Sequence, residues 1–314
     1  MSLESELIAW LSENVPKGDQ VAIGIGDDAA ILAPLADSAT VVTTDLLTDG
    51  VDFLLDEVDP RQIGHKALAV NLSDLAAMAA RPTAALISLA LPRAGSAKLS
   101  ALELAIELYR GMLPLAQRYE VAIAGGDTNS WEGPLAISIT AMGATTQFGP
   151  LTRDGGRPGD RLLVTGCLGG SILGRHLQFE PRVELALLLN QRYQLQAGID
   201  VSDGLALDVS RLAAASGCGA VIDLPAVPIS PAAERLALED RVSALEHALT
   251  DGEDFELVVA VAAESAEQIL EDQPSDVPLT QIGELIEQAG LWQRDGAGER
   301  SPLDPGGYQH EATE

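Results

Sequence analysis

Glycine and aspartate recur together in this chain beside short apolar runs that are typical of β-strands. The segments are Gly24-Ile25-Gly26-Asp27-Asp28, Thr43-Thr44-Asp45, Gly125-Gly126-Asp127, Asp200-Val201-Ser202-Asp203-Gly204 and, before a strand, Asp251-Gly252-Glu253-Asp254. Ligands of α/β proteins tend to bind where strands end, and glycine lets a backbone approach a ligand closely. The pattern therefore predicts a fold of strands and helices whose polar site lies on strand-end loops.

Apolar runs and helical patterns alternate along the whole chain. Strands are predicted at 21–25, 41–44, 84–91, 121–124, 135–142, 161–165, 199–201 and 255–261. Helices are predicted at 3–13, 61–80, 97–118, around 170–178, 182–193 and 204–215. This mixture indicates the α/β class, of the α+β type with mixed sheets. A polar stretch with glycine and proline, 153–160, predicts domains at 1–150 and 151–314.

The formal net charge is −28, from 47 acidic and 19 basic residues. Binding to nucleic acids or anionic membranes needs basic patches, and the strongly acidic composition of this chain therefore argues against both partners. A nucleotide is still compatible with it where metal cations bridge the phosphates to the protein. Most of the acidic residues keep the surface solvated, so the positions of particular carboxylates are more informative than their number.

Two cysteines, Cys167 and Cys218, are too few for a disulfide framework, and no Cys-x-x-Cys metal pattern occurs. The first residues carry no basic region before an apolar run, and no apolar stretch is long enough to span a membrane. These features favour the cytoplasm. The Gly-x-x-x-x-Gly-Lys-Ser/Thr loop of P-loop enzymes is also absent.

Each Gly/Asp segment taken alone is compatible with a tight turn, because Asp and Gly are the commonest turn residues. Ser202 and Asp203 have a further structural explanation, since either could cap the helix predicted after them. Several carboxylates together, however, would repel one another unless cations neutralise them. Magnesium is the natural cation for oxygen ligands and phosphates, so the joint pattern predicts a magnesium site.

Asp74 lies within the segment Lys66–Met78, where apolar residues flank it on almost every side. A carboxylate in such a setting is costly unless it is paired or bound to a metal. Asn71 precedes it by three residues, so the two side chains can face the same way on one helix. The alternative is that Ser73 or Asp74 caps a second helix, and we favour the functional interpretation.

The glycine-rich run Thr165–Ser171 follows a predicted strand and opens a predicted helix. Such a run could hold an anion at the helix N-terminus, although no lysine follows it. A close packing turn between strand and helix fits the sequence at least as well.

Together these segments resemble the thiamine-monophosphate kinases, within the superfamily that includes aminoimidazole ribonucleotide synthetase, selenophosphate synthetase and a hydrogenase maturation factor. The matching stretches are Gly24–Ala30, Thr43–Asp45 with Gly50 and Phe53, Lys66–Met78, Gly125–Thr128, Leu151–Asp160, Asp200–Leu205, Gly252–Leu257 and Gly307-Tyr308. The resemblance implies an N-terminal sheet that pairs across a homodimer and a C-terminal α+β domain. It also implies transfer of the γ-phosphoryl group of ATP to thiamine monophosphate, giving thiamine diphosphate and ADP.

The resemblance further implies roles for particular positions. The implied ligands of several magnesium ions are Asp28, Asp45, Asp74, Asp127, Asp200 and Asp203, with Thr43 and Thr44 assisting. The implied ATP contacts are Tyr109, Gly126, Arg153 and Ser202. Glu253 is the implied substrate contact, and no catalytic residue separate from the metal ligands is implied.

Two positions depart from the family pattern, and both belong to the substrate side. Asp52 stands where the family usually has a histidine, and Gln309-His310-Glu311 follows Gly307-Tyr308 where an aromatic residue is usual. We expect the Asp52 carboxylate to face the cationic thiazolium or the aminopyrimidine of the substrate.

The other members of the superfamily fit less well. Selenophosphate synthetase would need a reactive cysteine before Cys167, and the hydrogenase maturation factor would need a C-terminal cysteine, whereas this chain ends Ala312-Thr313-Glu314. Aminoimidazole ribonucleotide synthetase fits the Lys66–Met78 segment less well. An enzyme of the superfamily with a different acceptor, and a non-catalytic nucleotide-binding regulator, stay open as alternatives.

Overall fold

The computed structural model describes residues 3–309 except 17, 19, 24, 26–29 and 33–37. The chain divides into two compact units. Unit 1 comprises residues 1–75 and 80–147, and unit 2 comprises residues 76–79 and 148–314. Among the described residues, no helix is long and apolar enough to cross a membrane.

Unit 1 is built on a four-stranded sheet with the order β3-β6-β4-β5. Its helices are α1 (Leu3–Asn14), α2 (Pro60–Ala77) and α3 (Ala101–Arg118), and its strands are β1 (Val21–Ile23), β2 (Ile31–Leu32), β3 (Thr40–Thr48), β4 (Arg81–Pro92), β5 (Ala122–Trp131) and β6 (Ala136–Ala144). β4 and β5 run parallel, while β6 is antiparallel to both β3 and β4. β1 and β2 form a separate antiparallel pair.

Helices α2 and α3 pack backbone to backbone because glycines face the contact. A Cβ at Gly64 would lie 2.0 Å from the Leu108 carbonyl oxygen, and one at Gly111 would lie 1.9 Å from the Arg61 carbonyl oxygen. α2 is apolar around most of its circumference, and Leu68, Leu72 and Leu75 are fully buried. A helix of this kind belongs to a core, which makes the polar side chains on it unusual.

Two of the predicted strands are longer than expected. β3 continues through Asp45 to Thr48 and pairs with β6 along its whole length, while β5 continues through Asp127 to Trp131 beside β4. The prediction that Asp45 and Asp127 follow strand ends is therefore wrong. Alternation of side chains continues past both aspartates, and hydrogen bonding to a neighbouring strand outweighs the local turn preference of Gly and Asp.

Unit 2 contains a seven-stranded mixed sheet with the order β13-β12-β9-β11-β7-β10-β8. Its helices are α4 (Val183–Tyr193), α5 (Leu205–Ala215), α6 (Pro231–Glu239), α7 (Ala244–Thr250) and α8 (Ala263–Asp272). Its strands are β7 (Arg161–Thr165), β8 (Ala197–Asp200), β9 (Gly219–Asp223), β10 (Leu257–Val261), β11 (Leu279–Ile286), β12 (Gly290–Arg294) and β13 (Arg300–Pro302). Short 3₁₀ turns occur at Ser171–Leu173, Arg175–Leu177 and Leu224–Ala226.

The centre of the unit 2 sheet, at β7 and β10, is buried on both faces. Leu162 and Val164 of β7 pack in one apolar cluster together with residues of α5, whereas Leu163 packs in a second cluster with residues of α4 and α8. Successive side chains of a strand point to opposite faces, so the continuous apolar runs of β7 and β10 fit a sheet covered on both sides.

The helix predicted around 170–178 is wrong, because the structure has two 3₁₀ turns there. Gly170 and Gly174 adopt left-handed backbone conformations, with φ of 71° and 117°, and each interrupts helical hydrogen bonding. The mixed α/β class of the α+β type is confirmed.

Candidate active site

Three carboxylates lie close together in unit 1, and we call Asp45, Asp52 and Asp74 the unit 1 acidic cluster. Asp45 is on β3, Asp74 is on α2, and Asp52 is in the turn after β3. The Thr43 hydroxyl, two residues before Asp45 on the same side of β3, donates a hydrogen bond to Asp74 Oδ2. The alternation of β3 and the apolar helix α2 thus place a hydroxyl and two carboxylates together.

Asp45 has no counter-charge among its described neighbours. Burial, followed by the charges of Asp74 and Asp52, raises the pKa of Asp45 to about 7. Its Oδ2 atom is buried and has no hydrogen-bond partner among the described residues. A buried, unpaired carboxylate beside other carboxylates is costly unless a cation neutralises it.

The oxygen donors of Thr43, Asp45 and Asp74 fit a magnesium ion that is also bound by water and phosphate, and not a metal ion held by protein side chains alone. Within the described ranges, no three His, Cys, Asp or Glu side chains are close enough to hold a metal ion by themselves. Magnesium keeps several waters and is usually bound by one or two carboxylates together with phosphate oxygens of a substrate. Asp45, Asp74 and the Thr43 hydroxyl match that requirement, while Asp28 lies outside the described residues.

Lys66 on α2 supports the turn that carries Asp52. Its ammonium group donates to the Asp52 carbonyl oxygen at 2.7 Å, although the residue is only 1% exposed. Asp52 Oδ2 in turn accepts from the Thr48 amide at 2.6 Å. The predicted site residues do not include Lys66; the sequence signal for it is a lysine in an otherwise apolar helical segment.

The other predicted positions of unit 1 are arranged differently. Thr44 is exposed, and its hydroxyl donates a hydrogen bond to the Ile139 carbonyl and accepts one from the Thr140 hydroxyl. Its side chain therefore lies on the face of β3 opposite to Thr43. Gly126 and Asp127 are exposed on β5. Tyr109 is 2% exposed on α3, its ring centroid is 6.4 Å from that of Trp10, and burial raises its pKa. The roles implied for these residues stay predictions.

In unit 2, the segment Asp200–Gly204 lies beside the segment Gly252–Glu256. The Glu253 amide donates to the Ser202 carbonyl at 2.7 Å, the Phe255 amide to the Val201 carbonyl at 2.8 Å, and the Val201 amide to the Glu256 carbonyl at 2.8 Å. Two of the stretches that carry the family resemblance, Asp200–Leu205 and Gly252–Leu257, are therefore hydrogen-bonded neighbours. Asp200 is 3% exposed at the end of β8, and Arg153 is exposed in the loop before β7.

Asp208 holds the start of α5. Its Oδ2 accepts from the Asp203 and Gly204 amides at 2.9 and 3.1 Å, and burial is the main cause that raises its pKa to about 6. The N-cap of α5 is Gly204, so the alternative in which Ser202 or Asp203 caps that helix is wrong. The Asp203 carboxylate instead pairs with Arg211.

The glycine-rich loop does bind anions, but the anions are carboxylates of the protein itself. The Gly169 amide donates to Asp254 at 2.8 Å, and the Gly170 amide donates to Asp251 Oδ2 at 2.9 Å. These contacts give the loop the packing role that the sequence left open.

The two halves of the chain match two family models. Residues 26–145 match the N-terminal domain of AIR synthase related proteins, and residues 151–291 match the C-terminal domain. The thiamine-monophosphate kinase of Rhodopirellula baltica is 46% identical over 99% of this chain and 98% of that protein. This chain belongs to the thiamine-monophosphate kinase family. The resemblance predicted from the Gly/Asp segments is thus confirmed.

Solved structures of the thiamine-monophosphate kinase family have the same fold. The enzyme of Stenotrophomonas maltophilia K279a is 35% identical, with a TM-score of 0.77 over 93% of this chain and 96% of that chain. AaThiL complexed with AMPPCP and TMP is 27% identical, with a TM-score of 0.76 over 98% of this chain and 96% of that chain. The two-domain fold expected for a thiamine-monophosphate kinase is therefore confirmed, while pairing of the N-terminal sheet across a dimer stays a prediction.

Proposed function

We propose that the protein transfers the γ-phosphoryl group of ATP to thiamine monophosphate, giving thiamine diphosphate and ADP. The observation that carries this proposal is the unit 1 acidic cluster, whose buried Asp45 oxygen has no hydrogen-bond partner in the described part of the chain. Support comes from the 46% identical thiamine-monophosphate kinase and from the related structure with AMPPCP, an ATP analogue, and TMP.

The reaction is a displacement at phosphorus. An oxygen of the acceptor phosphate forms a bond to the γ-phosphorus, and the bond from that phosphorus to the oxygen bridging to the β-phosphate breaks, so that ADP leaves with the electron pair. Attack of one anion on another needs charge neutralisation and alignment more than a strong base. Bound magnesium would supply that neutralisation.

The residues of this chain would bind magnesium and orient the two substrates. Asp45, Asp74 and Thr43 would hold magnesium in unit 1, and Asp200 and Asp203 would provide ligands in unit 2. Asp28 and Asp127 complete the proposed ligand set, whereas the Thr44 hydroxyl lies on the face of β3 opposite to Thr43 and is left out of it. The proposed ATP contacts are Tyr109, Gly126, Arg153 and Ser202.

On the acceptor side, Asp52 and Glu253 would contact the positively charged thiamine moiety. The Thr48 amide orients the Asp52 carboxylate from one side, at 2.6 Å. The Glu253 side chain is 34% exposed. Carboxylates oriented in this way complement a cation.

We also propose a cytoplasmic homodimer. Val42 and Leu46 of β3 are 59% and 63% exposed on the face opposite to Asp45. Exposed apolar side chains grouped on one sheet face are typical of an interface. A Leu46→Lys variant that sediments as the wild type does would argue against use of this face.

The decisive experiment incubates the protein with ATP, magnesium and thiamine monophosphate, and follows thiamine diphosphate by chromatography with thiamine as the control acceptor. Asp74→Asn should lower the rate by about 100-fold or more, since electrostatic groups at such sites contribute on that scale. ATP turnover without thiamine diphosphate would indicate a different acceptor. Magnesium-dependent ATP binding without turnover would indicate the regulator.

A further inference from the structure

The 3₁₀ turn Arg175–Leu177 holds the segment Gly252–Glu256 through two successive side chains. Arg175 Nη2 donates to the Asp254 carbonyl oxygen at 3.2 Å, and the same guanidinium pairs with the buried Glu256 carboxylate. His176 follows, with Nδ1 3.0 Å from Glu253 Oε2. One short turn therefore contacts the Asp254 backbone, the buried Glu256 carboxylate and the partly exposed Glu253 carboxylate.

The held segment has an unusual backbone. Glu253 and Phe255 have φ of 52° and 50°, in the left-handed region that L-residues rarely adopt. Strain of this kind persists where surrounding contacts impose it, commonly at functional sites. Here the contacts include stacking of the Phe255 ring on Phe179, with centroids 4.1 Å apart. The segment therefore presents Glu253 in one fixed backbone conformation.

His176 and Glu253 differ in exposure. His176 is 5% exposed, while the Glu253 side chain is 34% exposed. With a proton on Nδ1, the imidazole donates to Glu253 whether the ring is neutral or cationic. The histidine thus orients the carboxylate from the protein side and leaves part of it accessible to solvent.

We propose that His176 is a positioning residue, which fixes the Glu253 carboxylate for the positively charged part of the phosphoryl acceptor. This inference rests on the proposed function. A glutamate that rotates freely loses side-chain entropy on binding a ligand, and a glutamate that is already oriented loses less. His176 should therefore improve the affinity for the cationic acceptor without taking part in phosphoryl transfer.

The test is a kinetic double-mutant cycle with His176→Ala, Glu253→Ala and the double variant. We expect His176→Ala to raise the KM for thiamine monophosphate about tenfold, with little change in kcat or in the KM for ATP. We expect the double variant to behave like Glu253→Ala, because His176 acts only through Glu253. His176→Asn should restore much of the loss, since its amide can donate from a position close to that of Nδ1.

Tyr193→Phe is the matched control, because it removes a 2.6 Å hydrogen bond to another carboxylate of unit 2, that of Asp272. It should leave the KM for thiamine monophosphate unchanged. Additive effects of the two alanine substitutions, an unchanged KM in Glu253→Ala, or equal changes in the KM for both substrates would overturn the inference while the proposed function stands. A wild-type protein that forms no thiamine diphosphate would overturn both.

Discussion

Two groups of carboxylates in this protein, one buried in unit 2 and one partly buried in unit 1, differ in the charges that surround them. In unit 2, the ion cluster of Arg175, Arg182, Asp254 and Glu256 contains its own cations: Glu256 accepts from Arg182 at 2.7 and 2.8 Å, pairs with Arg175, and accepts from the Thr165 hydroxyl at 2.5 Å. In the unit 1 acidic cluster, the charges that shift the pKa of Asp45 are those of Asp74 and Asp52. The first arrangement contains its own counter-charges, whereas in the second the Asp45 Oδ2 atom is buried and has no hydrogen-bond partner among the described residues.

At Asp254, burial and a nearby counter-charge shift the pKa in opposite directions. Arg175 lies 3.7 Å from Asp254 and makes its closer contact with Glu256. Burial therefore dominates and raises the pKa of Asp254 to about 7, although the Gly169 amide and Arg175 oppose the shift. Within one cluster, therefore, Glu256 is paired with two arginines while the neighbouring Asp254 is governed by burial.

The largest expected effect is the loss of stability in Glu256→Gln. This change leaves the Arg175 and Arg182 guanidinium groups without their buried partner, and breaking a buried ion pair in this way costs about 3–5 kcal/mol. Urea denaturation would measure it by Trp292 fluorescence, with Trp10 and Trp131 replaced by phenylalanine so that the signal reports on unit 2.

Glu284→Gln is the matched control for that measurement. Glu284 also pairs with two arginines, Arg161 and Arg294, but its side chain is 25% exposed. Its removal should cost at most about 1 kcal/mol, because solvent screens exposed ion pairs. Equal costs for the two variants would show that burial is not what distinguishes the unit 2 ion cluster.

In unit 1 we expect removal of a carboxylate charge to raise the free energy of unfolding instead of lowering it. Asp45→Asn removes a partly buried charge whose charged neighbours among the described residues are carboxylates, so it should stabilise the protein at pH 8 in the presence of a chelator by at least about 1 kcal/mol. With Trp292 replaced by phenylalanine, Trp10 and Trp131 report on unit 1. Magnesium should stabilise the wild type more than the variant, because a ligand stabilises only the state that binds it.

Asp127→Asn is the control for Asp45→Asn, since Asp127 is exposed on β5. Its unfolding free energy with chelator should equal that of the wild type. A destabilised Asp45→Asn protein would mean that Asp45 already has a partner that compensates for its burial, and the contrast between the two clusters would fail.

Part of the fold and of the candidate site can be predicted from the sequence, and part depends on contacts between distant residues. The apolar setting of Asp74 depends on residues close together in the chain, and the Asp200–Leu205 and Gly252–Leu257 motifs follow from the family resemblance, so the sequence predicts both. The hydrogen bonds between those two motifs are found only in the structure. The partners of Glu256 were not visible, since Arg175 and Arg182 precede it by 81 and 74 residues. Asp45 and Asp127 were misplaced at strand ends, because hydrogen bonding between strands outweighs local turn preference.

The smallest effect that we predict concerns His247, which lies between two carboxylates of unit 2. Its Nδ1 is 2.9 Å from Asp251 and its Nε2 is 3.2 Å from Asp240. Burial lowers the pKa of His247, but the hydrogen bonds and charges of Asp251 and Asp240 outweigh burial and hold it above its ordinary value. The stabilisation is therefore fully present below the unfolded pKa of about 6.5 and is lost as the pH rises through the folded pKa.

His247→Gln should accordingly be less stable than the wild type by about 1 kcal/mol at pH 6, and the difference should shrink by pH 9. Urea denaturation followed by Trp292 would measure both values. Asp240→Asn removes only one of the two partners, so it should show a smaller difference with the same pH dependence. A difference that grows between pH 6 and pH 9 would mean that His247 is held neutral, and Asp240 and Asp251 would then lack the counter-charge that this comparison assigns to them.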